Sequence, residues 1–182
     1  MATIGLKNLY YAIMQSDTSG GTTYGTPVKI AGAIQVDINP QTSTNTLNAD
    51  DMPFYVANSM SQIDVTVNTA QLPASDVAAL LGHHLNADGG IDYASSDVAP
   101  YVAIMGQSEK ADGNVRYFKL YKGKFIDSQE TLQTKGDNVE YTTPQLTGSF
   151  VARVSDGKWK TVLDSEDLEE GSTAIENWFS QV

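Results

Sequence analysis

The stretch from Pro27 to Thr69 constrains the fold most, because it contains two strand patterns separated by a long connection. In the second pattern, Ile63, Val65 and Val67 alternate with polar residues. A period of two is typical of a strand with one buried face and one wet face. The first pattern has the same period, with apolar residues at even positions: Val28, Ile30, Ile34, Val36 and Ile38. The stretch therefore predicts two half-buried strands of a sheet.

The connection between these strands, Asn39 to Ser59, has about twenty residues, whereas ordinary hairpin loops have about 2–5. Its only charged residues are Asp50 and Asp51. Near its end lies an apolar cluster, which argues against disorder. The cluster comprises Met52, Pro53, Phe54, Tyr55 and Val56. We expect a long inter-strand loop over residues 39–59 that orders against a neighbouring subunit, with Phe54 and Tyr55 as its anchors.

The rest of the chain is mostly strand and turn. Leu72 to Gly82 predicts one short helix, with Pro73 near its start and Gly82 at its C-terminal cap. The pairs Asp112-Gly113 and Asp156-Gly157 predict turns between strands. The fold class predicted is mainly β, an antiparallel β-sandwich or barrel with one or two short flanking helices.

The C-terminal end differs in composition from the part before it. Asp164 to Glu170 carries five acidic residues and no basic one, which is typical of a solvated linker. After it, Ile175, Trp178 and Phe179 fall on one stripe of a predicted helix. We therefore divide the chain into a β domain, 1–164, and an acidic linker with a C-terminal helix, 165–182. The stripe predicts a helix that docks on its own or a neighbouring subunit.

Composition excludes several classes of function. The 182 residues include no cysteine, which removes thiolate catalysis, disulfide frameworks and the common structural zinc sites. Asp and Glu outnumber Lys and Arg by 22 to 11, for a net charge of -11. Specific nucleic-acid binding needs basic side chains to neutralise phosphates, so it is not expected. No secretory leader or membrane-spanning stretch is predicted either.

The sequence contains no recognisable catalytic motif. A nucleophile elbow and a dinucleotide fingerprint are absent, and the glycine-rich Ser19-Gly20-Gly21-Thr22 lacks the Lys of a phosphate loop. His83-His84 is the one histidine pair, and a metal site there would need further ligands from a chain poor in them. We predict no enzyme activity, no catalytic residues, no metal and no cofactor.

Three segments of the N-terminal half carry a resemblance to a known family. They are Ile4-Gly5-Leu6-Lys7-Asn8-Leu9-Tyr10-Tyr11-Ala12, Tyr24-Gly25-Thr26-Pro27-Val28 and Ile34-Gln35-Val36-Asp37-Ile38-Asn39-Pro40. In order and spacing they resemble the start of major tail proteins, the tail tube subunits of long non-contractile-tailed phages of Gram-positive bacteria. The similarity continues into Leu47-Asn48-Ala49-Asp50-Asp51 and the Leu80-Leu81-Gly82 helix end.

The resemblance implies a structural virion protein with a tail tube fold. Six copies would form a ring, and stacked rings would enclose a channel for DNA passage into the host. The implied partners are further copies of the chain, the tape-measure protein, and tail-tip or terminator proteins. Contact with the phage DNA would be passing and non-specific, and no membrane would be involved. Assembly would take place in the host cytoplasm, and the final location would be the phage tail.

The same parity argument yields candidates for the channel lining. If the apolar residues of the two strands face the core, then Gln35 and Asp37 face away from it, as do Gln62 and Asp64. A sheet that lines the channel, as the resemblance implies, would present these four side chains to it. Arg153 fits such a lining worst, because basic side chains attract the DNA backbone.

A different class of function stays open from sequence alone. Nine tyrosines and two tryptophans would permit sugar stacking, so the chain could be a carbohydrate- or receptor-binding β-sandwich of a phage tail. Such a site needs aromatic side chains clustered on one exposed face, and here they are spread along the chain.

Overall fold

The computed structural model describes residues 3–49, 51–128, 143–168 and 173–182. This part of the chain is mainly β, with one short α-helix, which confirms the predicted fold class. The helix α1 spans Ala74–Leu81, and a 3₁₀ turn spans Ser165–Asp167. The strands are β1 Thr3–Thr18, β2 Gly21–Tyr24, β3 Val28–Ile30, β4 Ala33–Ala49, β5 Met52–Thr69, β6 His84–Leu85, β7 Ile91–Asp92, β8 Val102–Lys110, β9 Val115–Ile126, β10 Gln145–Val151 and β11 Lys160–Asp164.

One antiparallel sheet dominates the structure and curls into a half-barrel. Its strands follow the order β2-β1-β8-β9-β10-β5-β4, with β3 added to β1 and β11 added to β9. Strands β6 and β7 form a separate small hairpin. Strand β4 ends the order, so within the described residues its outer edge has no strand partner.

Strand β9 forms the corner at which the sheet turns. Its first half pairs with β11 and its second half with β10. Val102 lies opposite Gly123 but Ile104 lies opposite Leu120, so β9 contributes one extra residue between these pairs. Such a bulge bends a strand and changes which residues face inward. The two halves of the sheet can therefore lie on either side of one core.

The core lies inside the curl of the sheet. Ile63, Val65 and Val67 of β5 are buried there, as their alternation predicts. Leu80 of α1 packs into the same cluster and covers one end of it. The largest fully buried side chains are Phe125, Phe150, Leu9, Ile30, Ile63, Leu80, Ile104, Met105 and Leu120.

The predicted helix is present, and Gly82 caps it in the left-handed conformation with φ 77°. A Cβ at Gly82 would overlap the backbone of Val98, so glycine is required there for two reasons. Within the described residues, the structure contains no helix with the length and apolar character needed to cross a membrane.

The prediction of one strand from Val28 to Ile38 is wrong. Gly32, with φ 70°, breaks the stretch into β3, which pairs with β1, and β4, which pairs with β5. Because the partner strand changes at this turn, parity does not carry across it. Ile30 is buried, whereas Val28 and Ile34 are 42% and 52% exposed.

The predicted inter-strand loop over 39–59 is also wrong. Strands β4 and β5 pair along their whole length, from Ala33 opposite Thr69 to Ala49 opposite Met52. Two residues connect the strands, and the structure describes one of them, Asp51. Its φ of 60° is a conformation that Asp tolerates in tight hairpins. We call the part of this hairpin beyond the core, residues 42–60, the arm. Its described side chains are exposed on both faces, so burial imposes no alternation on its sequence.

Two expectations for the C-terminal end need correction. Residues 174–180 form a series of turns instead of the predicted helix. The acidic stretch does not begin as a solvated linker, because Lys110 contacts Asp164 at 2.8 Å and Glu166 at 2.6 Å. Lys110 is itself buried, so these carboxylates satisfy a cation that has lost its water. Residues 169–172 of the predicted linker lie outside the described part.

The corner generates a stability prediction. A Cβ at Gly123 would overlap the Phe150 ring, while one at Gly5 of β1 would meet nothing within 4 Å. We expect Gly123→Ala to lower the free energy of unfolding by about 1–3 kcal/mol through overpacking. Gly5→Ala, the matched control, should change it by less than about 0.5 kcal/mol. Urea denaturation of both variants measures this, and equal midpoints would contradict the packing described at the corner.

Candidate assembly surfaces

One face of the sheet is polar and points away from the core. Gln35 lies opposite Asn68 and Asp37 lies opposite Thr66 in the β4–β5 ladder, and facing residues share a side of a sheet. The ladder between β5 and β10 extends this surface. We call it the polar face; it comprises Gln35, Asp37, Asn39, Gln41, Gln62, Asp64, Thr66, Asn68, Gln145, Thr147 and Ser149. The structure thus brings all four predicted channel-lining residues onto one surface.

Amide side chains hold the two carboxylates of the polar face in place. Gln41 and Gln62 each donate a hydrogen bond of 2.9 Å to Asp64, one to each oxygen. Gln35 donates to both oxygens of Asp37, at 2.8 and 2.9 Å. These donors are neutral, so they orient the carboxylates while leaving their negative charge in place.

Two lysines that the sequence pattern does not place on this surface lie beside it. Lys124 is opposite Ser149 and Lys122 is opposite Val151 in the β9–β10 ladder. Lys122 forms an ion pair with Asp17 at 2.7 Å, and the Lys124 ammonium lies 4.5 Å from the centre of the Tyr101 ring. The surface therefore combines both signs of charge. The bulge in β9 reverses the parity of these lysines, which no local pattern in the sequence reveals.

Arg153 lies beyond the end of β10 and outside the polar face. Its guanidinium forms two hydrogen bonds with Asp156, at 3.0 and 2.6 Å, and stacks 3.7 Å from the centre of the Tyr121 ring. Arg153, the basic residue that fits a channel lining worst, is thus held outside the polar face.

The arm presents large apolar side chains to solvent. Phe54 and Tyr55 are 63% and 64% exposed, and their rings contact each other edge to face at 4.6 Å. Leu47 lies opposite Tyr55 while Asn48 lies opposite Pro53, so Phe54 has no direct partner and forms a bulge. Leu47, Met52 and Val56 are exposed to a similar degree. The side chain of Pro53 lies outside the described part.

The C-terminal turns cover the outer face of β9 and β1 of the same subunit. Trp178 is buried beneath Lys119, whose ammonium lies 4.5 Å from the indole centre and donates a hydrogen bond to the Gln181 carbonyl. Phe179 stacks on Tyr10 at 4.9 Å, and Ile175 is half-buried. Burial lowers the pKa of Lys119. These contacts order the segment without a second copy.

His83 is buried between two carboxylates. Its Nδ1 lies 2.7 Å from Asp97 and its Nε2 lies 2.9 Å from Asp127, while its ring packs against Tyr93. The two carboxylates hydrogen-bond the imidazolium, so they raise the pKa of His83, and His83 in turn lowers the pKa of Asp97. With both ring nitrogens occupied, His83 has no free lone pair for a metal ion.

One cluster of carboxylates has a spacing suited to a cation: Asp164, Glu166 and Asp167. Arg116 forms a two-point ion pair with Asp164, at 2.7 Å for each bond, and Lys110 contacts both Asp164 and Glu166. These two basic side chains pair with two of the three carboxylates and lower the pKa of Asp164. The cluster therefore stabilises the end of β11.

The polar face and the exposed apolar side chains of the arm are surfaces suited to assembly. The family model for phage tail tube proteins matches residues 1–169 of the chain. The chain therefore belongs to the phage tail tube protein family and is a structural component of a phage tail. A search of curated protein sequences finds no match.

The His83 cluster generates a pH prediction. The pKa of His83 is raised above its ordinary 6.5, so its contribution to stability is complete below pH 6.5 and is lost as the pH rises through the folded value. We expect the free energy of unfolding to fall more steeply in the wild type than in His83→Gln as the pH rises above 6.5. His84→Gln, which changes the exposed neighbour, is the control and should keep the wild-type slope. Parallel profiles for wild type and His83→Gln would contradict this assignment.

Proposed function

We propose that the chain is the tail tube subunit whose copies form hexameric rings, stacked around a channel through which DNA passes into the host. The arm is the observation that carries this proposal most directly. It places five large apolar side chains, each more than 60% exposed, on a hairpin that extends beyond the core. An isolated two-stranded hairpin is at best marginally stable in water, so a partner that covers these side chains stabilises the arm.

The free edge of β4 supports lateral association between subunits. Its 17 residues form the end of the main sheet, and an unpaired edge of this length is a template for another strand. Charged residues often protect such edges, yet Asp37 is the only charged residue of β4. A neighbouring subunit that covers this edge would continue the sheet around a ring. The ring size of six rests on the family resemblance.

The polar face is the surface we assign to the channel. It exposes amides, hydroxyls and the two oriented carboxylates of Asp37 and Asp64. Such a surface offers few cations to a DNA backbone that carries about one negative charge per 1.7 Å of helix axis. Lys122 and Lys124 are restrained by Asp17 and Tyr101, which limits their approach to phosphates.

The remaining partners follow from the proposed role. A tube of this kind would enclose a tape-measure protein during assembly in the host cytoplasm and end at tail-tip and terminator proteins. Its contact with DNA would be passing and non-specific. The carbohydrate-binding alternative gains no support from the tryptophans, because Trp178 is buried and Trp159 packs against the core.

The arm generates an assembly prediction. Phe54→Ala combined with Tyr55→Ala should leave a folded subunit that fails to build tubes, because buried aromatics at an interface contribute about 2 kcal/mol or more each. Circular dichroism checks folding and electron microscopy checks assembly. Val56→Ser and Val98→Ser form a matched pair, since these valines are 61% and 71% exposed on and off the arm. Of these two variants, only Val56→Ser should weaken assembly. Normal tubes from the double alanine variant would contradict the proposed role of the arm.

The polar face generates a prediction for DNA passage. Changing Asp37 and Asp64 together to Lys should leave tubes intact but slow DNA ejection, through new phosphate contacts. The effect should shrink as salt rises, because salt screens such contacts over about 8 Å at physiological ionic strength. Phage with both changes can be tested for ejection at two salt concentrations. Normal ejection at low salt from phage with normal tails would show that the polar face does not line the channel.

A further inference from the structure

The half-barrel leaves an open cleft where the sheet does not close. It lies between the first residues of β4, the start of β1, and strands β9 and β11, with a volume of about 450 Å³. That volume falls within the range of about 300–1,000 Å³ for ligand-sized sites. Its apolar lining includes Leu6, Ile34, Ile38, Phe118 and Val162. Ile34 and Val162 remain 52% and 43% exposed, so the isolated subunit leaves this cleft incompletely filled.

A cation lines the same cleft. Lys160 of β11 is half-buried, and burial together with the nearby Arg116 lowers its pKa. Arg116 has Asp164 as its partner, but no carboxylate in the described ranges forms an ion pair with Lys160. A half-buried ammonium without a counterion is costly, so a negative group brought to this position would be favoured.

The tip of the arm has the complementary chemistry. It carries Leu47, Met52 and Phe54 as exposed apolar side chains, and the exposed Asp51 beside Met52 supplies negative charge. The arm cannot bring these groups to the cleft of its own subunit. At roughly 3.4 Å per residue, β4 carries Leu47 about 30 Å beyond Ile38, which lies in the cleft.

We propose that the cleft beside Lys160 receives the tip of the arm of a second copy of this chain, with Asp51 of the tip facing the Lys160 ammonium. This inference rests on the proposed tube function and names the site at which the arm docks. The tip and the cleft are different patches of one subunit, so each copy can donate its tip to one neighbour and accept the tip of another, which makes the contact heterologous. Repeated contacts of this kind generate rings or open-ended filaments, which are the geometries that a tube requires.

The absence of cysteine makes disulfide trapping a clean test. The variant Met52→Cys/Val162→Cys places one thiol at the tip and one in the cleft. After assembly and mild oxidation, it should give a ladder of covalent multimers on a non-reducing gel, because every copy donates one tip and accepts another. Each single-cysteine variant should give no ladder. The matched control is Met52→Cys/Val154→Cys, since Val154 is 63% exposed but lies outside the cleft.

Microscopy of the same samples separates the two proposals. Tubes that form without the ladder, or with an equal ladder from the Val154 control, would overturn docking at the cleft and leave the tube function standing. If wild-type protein forms no tubes even with the tail proteins that it needs, the proposed function fails and this inference fails with it.

A charge experiment tests the polar half of the contact. Lys160→Gln should raise the critical concentration for tube growth by about tenfold, and so should Asp51→Asn. Asn tolerates the backbone conformation of Asp51, so the second change should not strain the turn. The two changes together should cost little more than either alone, because they remove one interaction. Lys158→Gln is the control, because this lysine is exposed and lies outside the cleft. If the losses of assembly from the two changes add, the acidic tip does not contact Lys160.

Discussion

The antiparallel ladder between β4 and β5 is the interaction on which both candidate assembly surfaces depend. Near the body of the molecule, one side of this ladder is anchored by the buried Ile63, Val65 and Val67, so its other side forms the polar face. Beyond the body, the same hydrogen bonds continue without a core and hold the arm in an extended form. A single hairpin thus supplies a surface for the channel and a surface for neighbouring subunits, and the length of the ladder sets the distance between them.

The sequence predicts best where burial imposes a pattern. The alternation in β5 and the outward orientation of Gln62 and Asp64 follow from one-sided burial, and the structure has both. The helix end at Gly82 is predictable for another reason, because glycine favours the left-handed cap conformation. This reasoning fails for the arm, because a strand that is exposed on both faces has no apolar alternation. A local signal was nevertheless present: an Asp-Asp pair between two extended runs is compatible with a tight hairpin turn.

Long-range geometry accounts for the other differences. Gly32 ends one strand and begins another, and only the identity of the partner strands shows that parity changes there. The bulge in β9 likewise moves Lys122 and Lys124 to the polar side, although the sequence around them reads as one continuous strand. The buried Lys110 forms ion pairs with Asp164 and Glu166, which belong to a stretch with the composition of a solvated linker. In each case a contact between distant residues overrides the local pattern.

The charges also refine the picture of the proposed channel. A net charge of -11 suggests a strongly acidic lining, but the polar face combines Asp37 and Asp64 with two nearby lysines. Its compatibility with DNA would then rest on neutral hydrogen-bonding groups and on restraint of the lysines by Asp17 and Tyr101. The channel would then let DNA pass because its surface offers the phosphates few mobile cations, and repulsion between like charges would contribute less.

A cryo-electron microscopy map of tails that contain this chain tests the central claim most directly. The account predicts that the polar face, with Asp37 and Asp64, lines the channel and that residues 42–60 cross from one subunit to another. A map in which the polar face lies on the outside of the tube, or in which the arm extends into solvent without contacting a second copy, would contradict it.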